Sequence, residues 1–469
     1  MSATATTEKK YLKWYQKLAY GSGDLASNCS YGLVSSFVLL YLTGTLGLDS
    51  AIIGSLMLAS KVLDGISDVI FGTLIDRTHS KLGKARPWML FGQVGVSLCL
   101  FLLFAIPAGS TTMQYIYFFI VYTALNAVFY TANGIAYSSL VALITKNNNE
   151  RVQLGSFRFM FAVVTNIFMG FAVTGMVEKF GSGAAGWRTT ALIFAIIGLV
   201  VNTISCLAVK ELPEEELSDN APEAGTDTKA APEEKRGFAE TVKLLIHNKY
   251  YLMILAIYIV YYIMSNLTTG AGVFCATYYW GDGSLLGQFS MMKMFPVIIA
   301  LAIAPVLIKK TGSMQKVNFW GYAISSVLGI PMIYFAMQKN ISMFLLFMFI
   351  KGIFAGTLSG SLNALIAEAS GYTTRTTGVH MDGMMYSCSS LGVKVGGGIG
   401  TAAVGWLLKL GGFVGTATVQ SESAIRMIFN LYITFPFVIG IIITVLLAFL
   451  DVEKANKKWD AEHQKEAQA

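Results

Sequence analysis

Runs of about twenty mostly apolar residues alternate with short polar stretches along the whole chain. Twelve such runs lie near residues 20–42, 51–75, 88–107, 114–140, 155–177, 190–209, 250–274, 287–308, 317–337, 342–367, 384–408 and 427–450. Each is long enough to cross a bilayer as a helix, which takes roughly 20 residues. The alternation fails once. KELPEEELSDNAPEAGTDTKAAPEEKRG, Lys210 to Gly237, is acidic, rich in Pro and Ala and nearly free of large apolar side chains. Such a stretch cannot bury enough surface to fold, which predicts a linker. The chain then reads as a polar start (1–19), a six-helix half (20–209), a central linker (210–246), a second six-helix half (247–451) and a polar tail (452–469). The predicted fold is an all-α polytopic membrane protein of twelve transmembrane helices in two pseudo-symmetric halves, although repetition in the sequence itself is faint.

Composition agrees with that reading, because 54% of residues are hydrophobic and only 13% charged, against about 25% charged in soluble domains. The net charge of +7 is spread unevenly. Lys and Arg gather in alternate loops, at Arg77, Lys81, Lys84 and Arg86, at Lys146 and Arg151, at Lys235, Arg236 and Lys243, and at Lys309, Lys310 and Lys316. The opposing loops hold few, chiefly Lys179, Arg188, Lys339 and Lys409. This asymmetry predicts both termini, and the linker, on the cytoplasmic side of the cell (inner or plasma) membrane. The charge is thus topological, and no nucleic-acid partner is expected. Residues 1–17 lack a small-residue cleavage site, so the first span reads as an uncleaved anchor. The five cysteines all fall in or beside spans without paired spacing and read as free thiols.

Candidate chemistry starts in the second run, where Asp64 and Asp68 lie one turn apart in an apolar stretch. A carboxylate at mid-membrane costs at least ~2.5 kcal/mol, and two on one helical face also repel each other. A bound Na⁺, a proton or the nearby Lys61 would compensate them. If the cation is Na⁺, Asp64 and Asp68 are its metal ligands. An i, i+3 pair with Lys61 that merely orders the helix is the structural alternative, but it serves one acid and not both.

Four segments resemble the glycoside–pentoside–hexuronide:cation symporter family, the melibiose permease group of the major facilitator superfamily. They are YGSGDLASN (Tyr20 to Asn28), KVLDGISDVIFGTLIDRT (Lys61 to Thr78), GKARPWMLFG (Gly83 to Gly92) and TGVHMDGMMY (Thr377 to Tyr386). The resemblance implies two six-helix halves that rock about a midplane site. It also implies a cation site of Asp64 and Asp68 with Ser67 and Thr131 as hydroxyl ligands. Asn28, Arg158 and Lys394 match family positions for solute binding or coupling. Asn133 lies beside Gly134, at the place of a second sugar-binding Asp. In the loop after the second span Asp76, Arg77, Lys84 and Arg86 are expected to latch one arrangement of the halves, with Lys61, Glu368 and Arg375 as further coupling charges. The segment EASGYTTRTTG (Glu368 to Gly378) departs from the family by losing two acids.

Asn28 and Gly134 stand where the melibiose permease carries acids, and in this the chain resembles the glucuronide-carrier branch. Two like charges at ~4 Å cost about 4 kcal/mol at an effective dielectric of 20, so losing these acids favours an anionic sugar. Gly392, Gly396 and Gly400 form a small-residue ridge suited to close helix packing. Lys394 lies roughly 200° around the axis from its neighbours on that ridge, which predicts exposure to an aqueous cavity. Arg158 is near enough to its helix end to reach the interface instead. Lys351 is a further cation in an apolar span for which the resemblance implies no role. Tyr31 and Tyr137, like Tyr122, Tyr130 and Trp280, could stack on a sugar ring, while the plainer reading of any one aromatic is packing.

The expected activity is symport of a sugar, a glycoside or anionic hexuronide, with Na⁺ or H⁺. The expected partners are the sugar, the coupling cation and membrane lipid; no cofactor is expected, and the protein is expected to act as a monomer. A carrier of lysolipid or another amphiphile is the alternative within transport. A membrane-embedded enzyme fits poorly, since the four His form no H-E-x-x-H and no G-x-S-x-G occurs.

Overall fold

In lipid a backbone must satisfy its own hydrogen bonds, so each apolar run becomes one helix. The computed structural model describes residues 9–213, 216, 245–378, 382–417 and 419–466. The first six long helices are α1 (Trp14–Thr45), α2 (Ser50–Asp76), α3 (Arg86–Leu103), α4 (Thr111–Ile144), α5 (Asn148–Lys179) and α6 (Gly183–Leu207). The next five are α7 (Lys249–Trp280), α8 (Leu285–Thr311), α9 (Met314–Met337), α10 (Ile341–Thr377) and α11 (Asp382–Leu410). The last span, α12, runs through Glu422–Phe429, Asn430–Thr434 and Phe435–Phe449. A terminal helix, α13 (Val452–Glu466), follows it. Among the described residues, eleven helical runs are long and apolar enough to cross a membrane. The twelfth is α2, whose 27 residues carry Lys61, Asp64 and Asp68.

Several helices outrun their apolar cores. α1 begins at Trp14 rather than near 20, because Lys17 is buried 3.0 Å from Glu150 and also donates to Gln153. α10 continues to Thr377, well past the apolar stretch ending near 367. The polar tail is helical too. Asn456 on α13 donates to the Glu368 carboxylate at 2.8 Å, and Arg375 lies 3.2 Å from Asp460. Most of the predicted linker (214–215 and 217–244) and residues 379–381 of the Thr377–Tyr386 motif lie outside the described residues.

The described residues form two compact units, one of residues 9–48, 59–213 and 216, the other of 49–58, 245–378, 382–417 and 419–466. In the N-terminal unit α1 packs on α5 and α6, and α3 on α4 and α6. In the C-terminal unit α7 packs on α11 and α12, and α9 on α10 and α12. Adding six to each helix number converts one set into the other, so a repeat too faint to read in the sequence is plain in the packing. The predicted glycine ridge is where α11 meets α7. A Cβ on Gly396 would lie 2.4 Å from the Ile259 carbonyl oxygen, and one on Gly400 2.6 Å from that of Ile263.

Four spans contain a wide, π-helical turn: Tyr41–Thr45 in α1, Ala124–Tyr130 in α4, Cys275–Trp280 in α7 and Asn430–Thr434 in α12. Such turns add a residue to the helix without breaking it and concentrate at functional positions.

Candidate functional site

The N-terminal unit gathers most of the predicted site residues on α1, α2, α4 and α5. On α2, Lys61 Nζ lies 3.6 Å from Asp64 Oδ2. The Thr131 hydroxyl, one residue beyond the wide turn of α4, lies 2.6 Å from Asp64 Oδ1. The same hydroxyl is 2.9 Å from the Asn126 carbonyl, so its single proton serves one acceptor at a time. Ser67 donates to the Asp64 carbonyl at 3.0 Å, which leaves its oxygen lone pairs available. Asp68 is half-buried one turn further along. The Asp64 carboxylate and the Thr131 hydroxyl meet here, and with Ser67 and Asp68 on the same helix the nearby donors are all oxygen, a chemistry suited to a hard monovalent cation or to a proton on one carboxylate. Asp64, Asp68, Ser67 and Thr131 are the side chains that would hold it.

From this cluster a line of contacts runs along α1. Lys61 Nζ sits 5.6 Å from the centre of the Tyr31 ring, and Tyr31 stacks on Tyr130 with centroids 5.3 Å apart. One helical turn from Tyr31, Asn28 accepts from Asn166 Nδ2 at 2.9 Å and donates to the Asp24 carbonyl at 2.7 Å. Asp24 Oδ2 accepts from Arg158 Nε at 2.6 Å, and the guanidinium lies 4.2 Å from the Tyr137 ring centre. Tyr137 is buried, donates to the Tyr20 carbonyl at 2.8 Å and packs against the Tyr20 ring.

Several expectations change here. Arg158 does not reach for the interface but pairs with Asp24, an acid the sequence reading passed over. The signal was present, because Asp24 is a carboxylate in an apolar run one turn before Asn28. Asn133 is buried in the packing between helices. It is 2% exposed, and its amide donates to the Met89 carbonyl at 2.7 Å and meets Asn202 at 3.3 Å. Tyr122 packs on Phe118, and Trp280 on Phe344. Beside Gly134 a side chain would meet nothing within 4 Å.

The Lys84, Ala85 and Arg86 amides all donate to the Glu211 carboxylate at 2.7 to 3.0 Å, placing an acid at the positive start of α3. Gly83, at φ 109°, leaves the room that carboxylate needs. The Arg86 side chain is buried and donates to the Cys206 carbonyl. Asp76 and Arg77 are exposed at the end of α2. Glu368 and Arg375 tie α10 to α13. Lys394 is half-buried on α11 of the C-terminal unit.

Twelve spans, with partly buried charge pairs among those of the N-terminal unit, define a polytopic membrane protein. A family profile described as MFS/sugar transport protein matches residues 19–454, and the chain belongs to that family. It is 26% identical over 465 residues to the isoprimeverose transporter of Lactiplantibacillus pentosus, covering 98% of this chain and 93% of that one. It is 25% identical over 425 residues to the inner membrane symporter YicJ of Escherichia coli (strain K12), covering 90% and 88%. A crystal structure of a bacterial homologue of the human lysosomal transporter Spinster superposes with a TM-score of 0.68 at 13% identity, covering 95% of this chain and 98% of that one. That likeness establishes the fold.

Proposed function

We propose that this protein is a symporter of the cytoplasmic (inner) membrane, with both termini in the cytoplasm, that carries a glycoside together with one monovalent cation, Na⁺ or H⁺. One observation carries the reading. The N-terminal unit holds two ion pairs inside its spans, Lys61 with Asp64 and Arg158 with Asp24, and Asp68 one turn past Asp64 brings the count to three carboxylates against two cations. A bound monovalent cation balances that cluster at the Asp64–Asp68 end. Asn28, Asn166 and the half-buried Tyr31 and Tyr130 offer hydrogen-bonding groups and ring faces for a sugar beside it. Each ligand then raises the other's affinity, and the effect is reciprocal.

Asp24 also bears on the charge of the sugar. The preference for an anionic substrate rested on the acids missing at Asn28 and Gly134 and on the positive charge of Lys394 and Arg158, and Asp24 now lies 2.6 Å from Arg158. The balance supports a neutral glycoside, the kind of cargo named for the isoprimeverose transporter. Uptake into proteoliposomes under an imposed Na⁺ or pH gradient tests the proposal. Asp68→Asn should abolish gradient-driven accumulation while leaving downhill exchange measurable. Wild-type accumulation by this variant under both gradients would refute the coupling. For the sugar, methyl glucoside should compete at least as well as methyl glucuronide, and stronger competition by the glucuronide would restore the anionic reading.

A further inference from the structure

The C-terminal unit encloses a cavity of about 180 Å³ among α7, α8, α9, α10 and α12. Two lysines line it, Lys293 from α8 and Lys351 from α10. Lys293 is eight residues past Leu285 and Lys351 ten past Ile341. At 1.5 Å per residue they lie about 12 and 15 Å along their helices, close to the middle of a hydrocarbon core about 30 Å thick. Among the described residues lining the cavity, none is Asp or Glu. Lys293 Nζ finds only neutral acceptors, the Thr268 and Thr269 hydroxyls at 3.3 and 3.1 Å. Lys351 Nζ makes no hydrogen bond or ion pair to a described residue.

A second observation comes from α9. Tyr322 lines the same cavity at 2% exposure, and its hydroxyl has no hydrogen-bond partner. A buried hydroxyl left unsatisfied costs about 1–3 kcal/mol, and ammonium groups deep in a membrane protein cost more unless an anion meets them. Two ammonium groups and an unpaired hydroxyl therefore border one space whose described lining holds no acid. The remaining wall mixes Met, Phe and Gly with Ser, Thr and Tyr hydroxyls. At ~30 Å³ per water the space equals about six waters, more than a bare halide fills.

We infer that this cavity binds a small organic oxyanion, a carboxylate or sulfonate with an apolar or hydroxylated body, held by Lys293, Lys351 and the Tyr322 hydroxyl. The site lies wholly in the C-terminal unit and is independent of the cation site on α2. Its chemistry is the reverse of that site, with donors in place of oxygen ligands.

The test is calorimetric titration of the full-length protein in a neutral detergent and chloride-free buffer. The probes are chloride and the organic anions benzoate, glucuronate and propanesulfonate, each organic anion beside its uncharged counterpart, benzyl alcohol, glucose or propanol. At least one anion should bind about tenfold or more tightly than its counterpart. Lys293→Met and Lys351→Met should each weaken that anion by about tenfold or more, and Tyr322→Phe by a few-fold. Methionine suits the apolar wall, so thermal midpoints of the variants should equal or exceed wild type. Should either Met variant fail to fold, Lys→Gln at the same position and Tyr322→Phe carry the comparison. The inference is overturned if no anion outbinds its counterpart, if chloride alone binds, or if the lysine variants keep wild-type affinity.

Discussion

Asp24 and Asp64 answer the same problem, a carboxylate among apolar helices, with different partners. Asp24 has a guanidinium at 2.6 Å, whereas Asp64 shares a lysine at 3.6 Å and a threonine hydroxyl. Breaking a buried pair from one side leaves a stranded charge, at a cost of about 3–5 kcal/mol when burial is complete. With both side chains partly exposed, Asp24→Asn should cost less, about 1–3 kcal/mol, and Arg158→Gln in the same chain should recover part of it. A double-mutant cycle on thermal unfolding in detergent measures the coupling; additive losses would show that the pair does not act as one. Thr131→Val should weaken cation binding about tenfold or more, since hydrogen bonds to charged groups contribute about 1.5–3 kcal/mol. Sodium or proton titration of the purified variant checks it. The acids of α2 were legible because they interrupt an apolar run at its centre. Asp24 carried the same signal but was passed over, because α1 was expected to begin near residue 20, where an acid reads as an end charge, whereas the helix begins at Trp14. The role of Asn133 was illegible for another reason: Met89 and Asn202, its partners, lie far away in sequence.

Between elements, the ridge of Gly392, Gly396 and Gly400 was readable from spacing alone, though not which helix it would meet. That helix is α7, and the approach is backbone to side chain and backbone to carbonyl. Gly396→Ala should therefore lower the thermal midpoint by several degrees, because the methyl group would sit 2.4 Å from a carbonyl oxygen. Gly72→Ala on α2 is the control. Nothing lies within 4 Å of its Cβ, and alanine favours helix by up to about 1 kcal/mol. An equal effect at both positions would remove the packing argument. Glu211 shows the limit of local reading. Its carboxylate returns to the start of α3 from beyond α6, and no feature of residues 83–88 announces it. Glu211→Gln should destabilise the N-terminal unit by about 1 kcal/mol, read as a lower denaturation midpoint with the helix content unchanged.

For the molecule as a whole, hydropathy and charge gave the class of fold, because membrane thickness and backbone satisfaction leave little freedom. The six-plus-six repeat became legible only in the packing, since helix order and neighbour choice persist after side chains have diverged. The loop charges also predict orientation. A green fluorescent protein fused after residue 469 should fluoresce and alkaline phosphatase at the same place should be inactive. The opposite pair of results would invert the topology.

The wide turn at Ala124–Tyr130 has a bearing on timing. It holds one residue more than an α-helical turn, and Thr131 follows it directly. Were the surplus residue passed along the helix, the residues between its old and new places would rotate by about 100°. The Thr131 hydroxyl would swing from Asp64 Oδ1, and Tyr130 from its stack on Tyr31, in the same motion. A ratchet of one tooth in α4 would thus release the proposed cation ligand and the proposed sugar-facing ring together, without unfolding a helix or moving its ends.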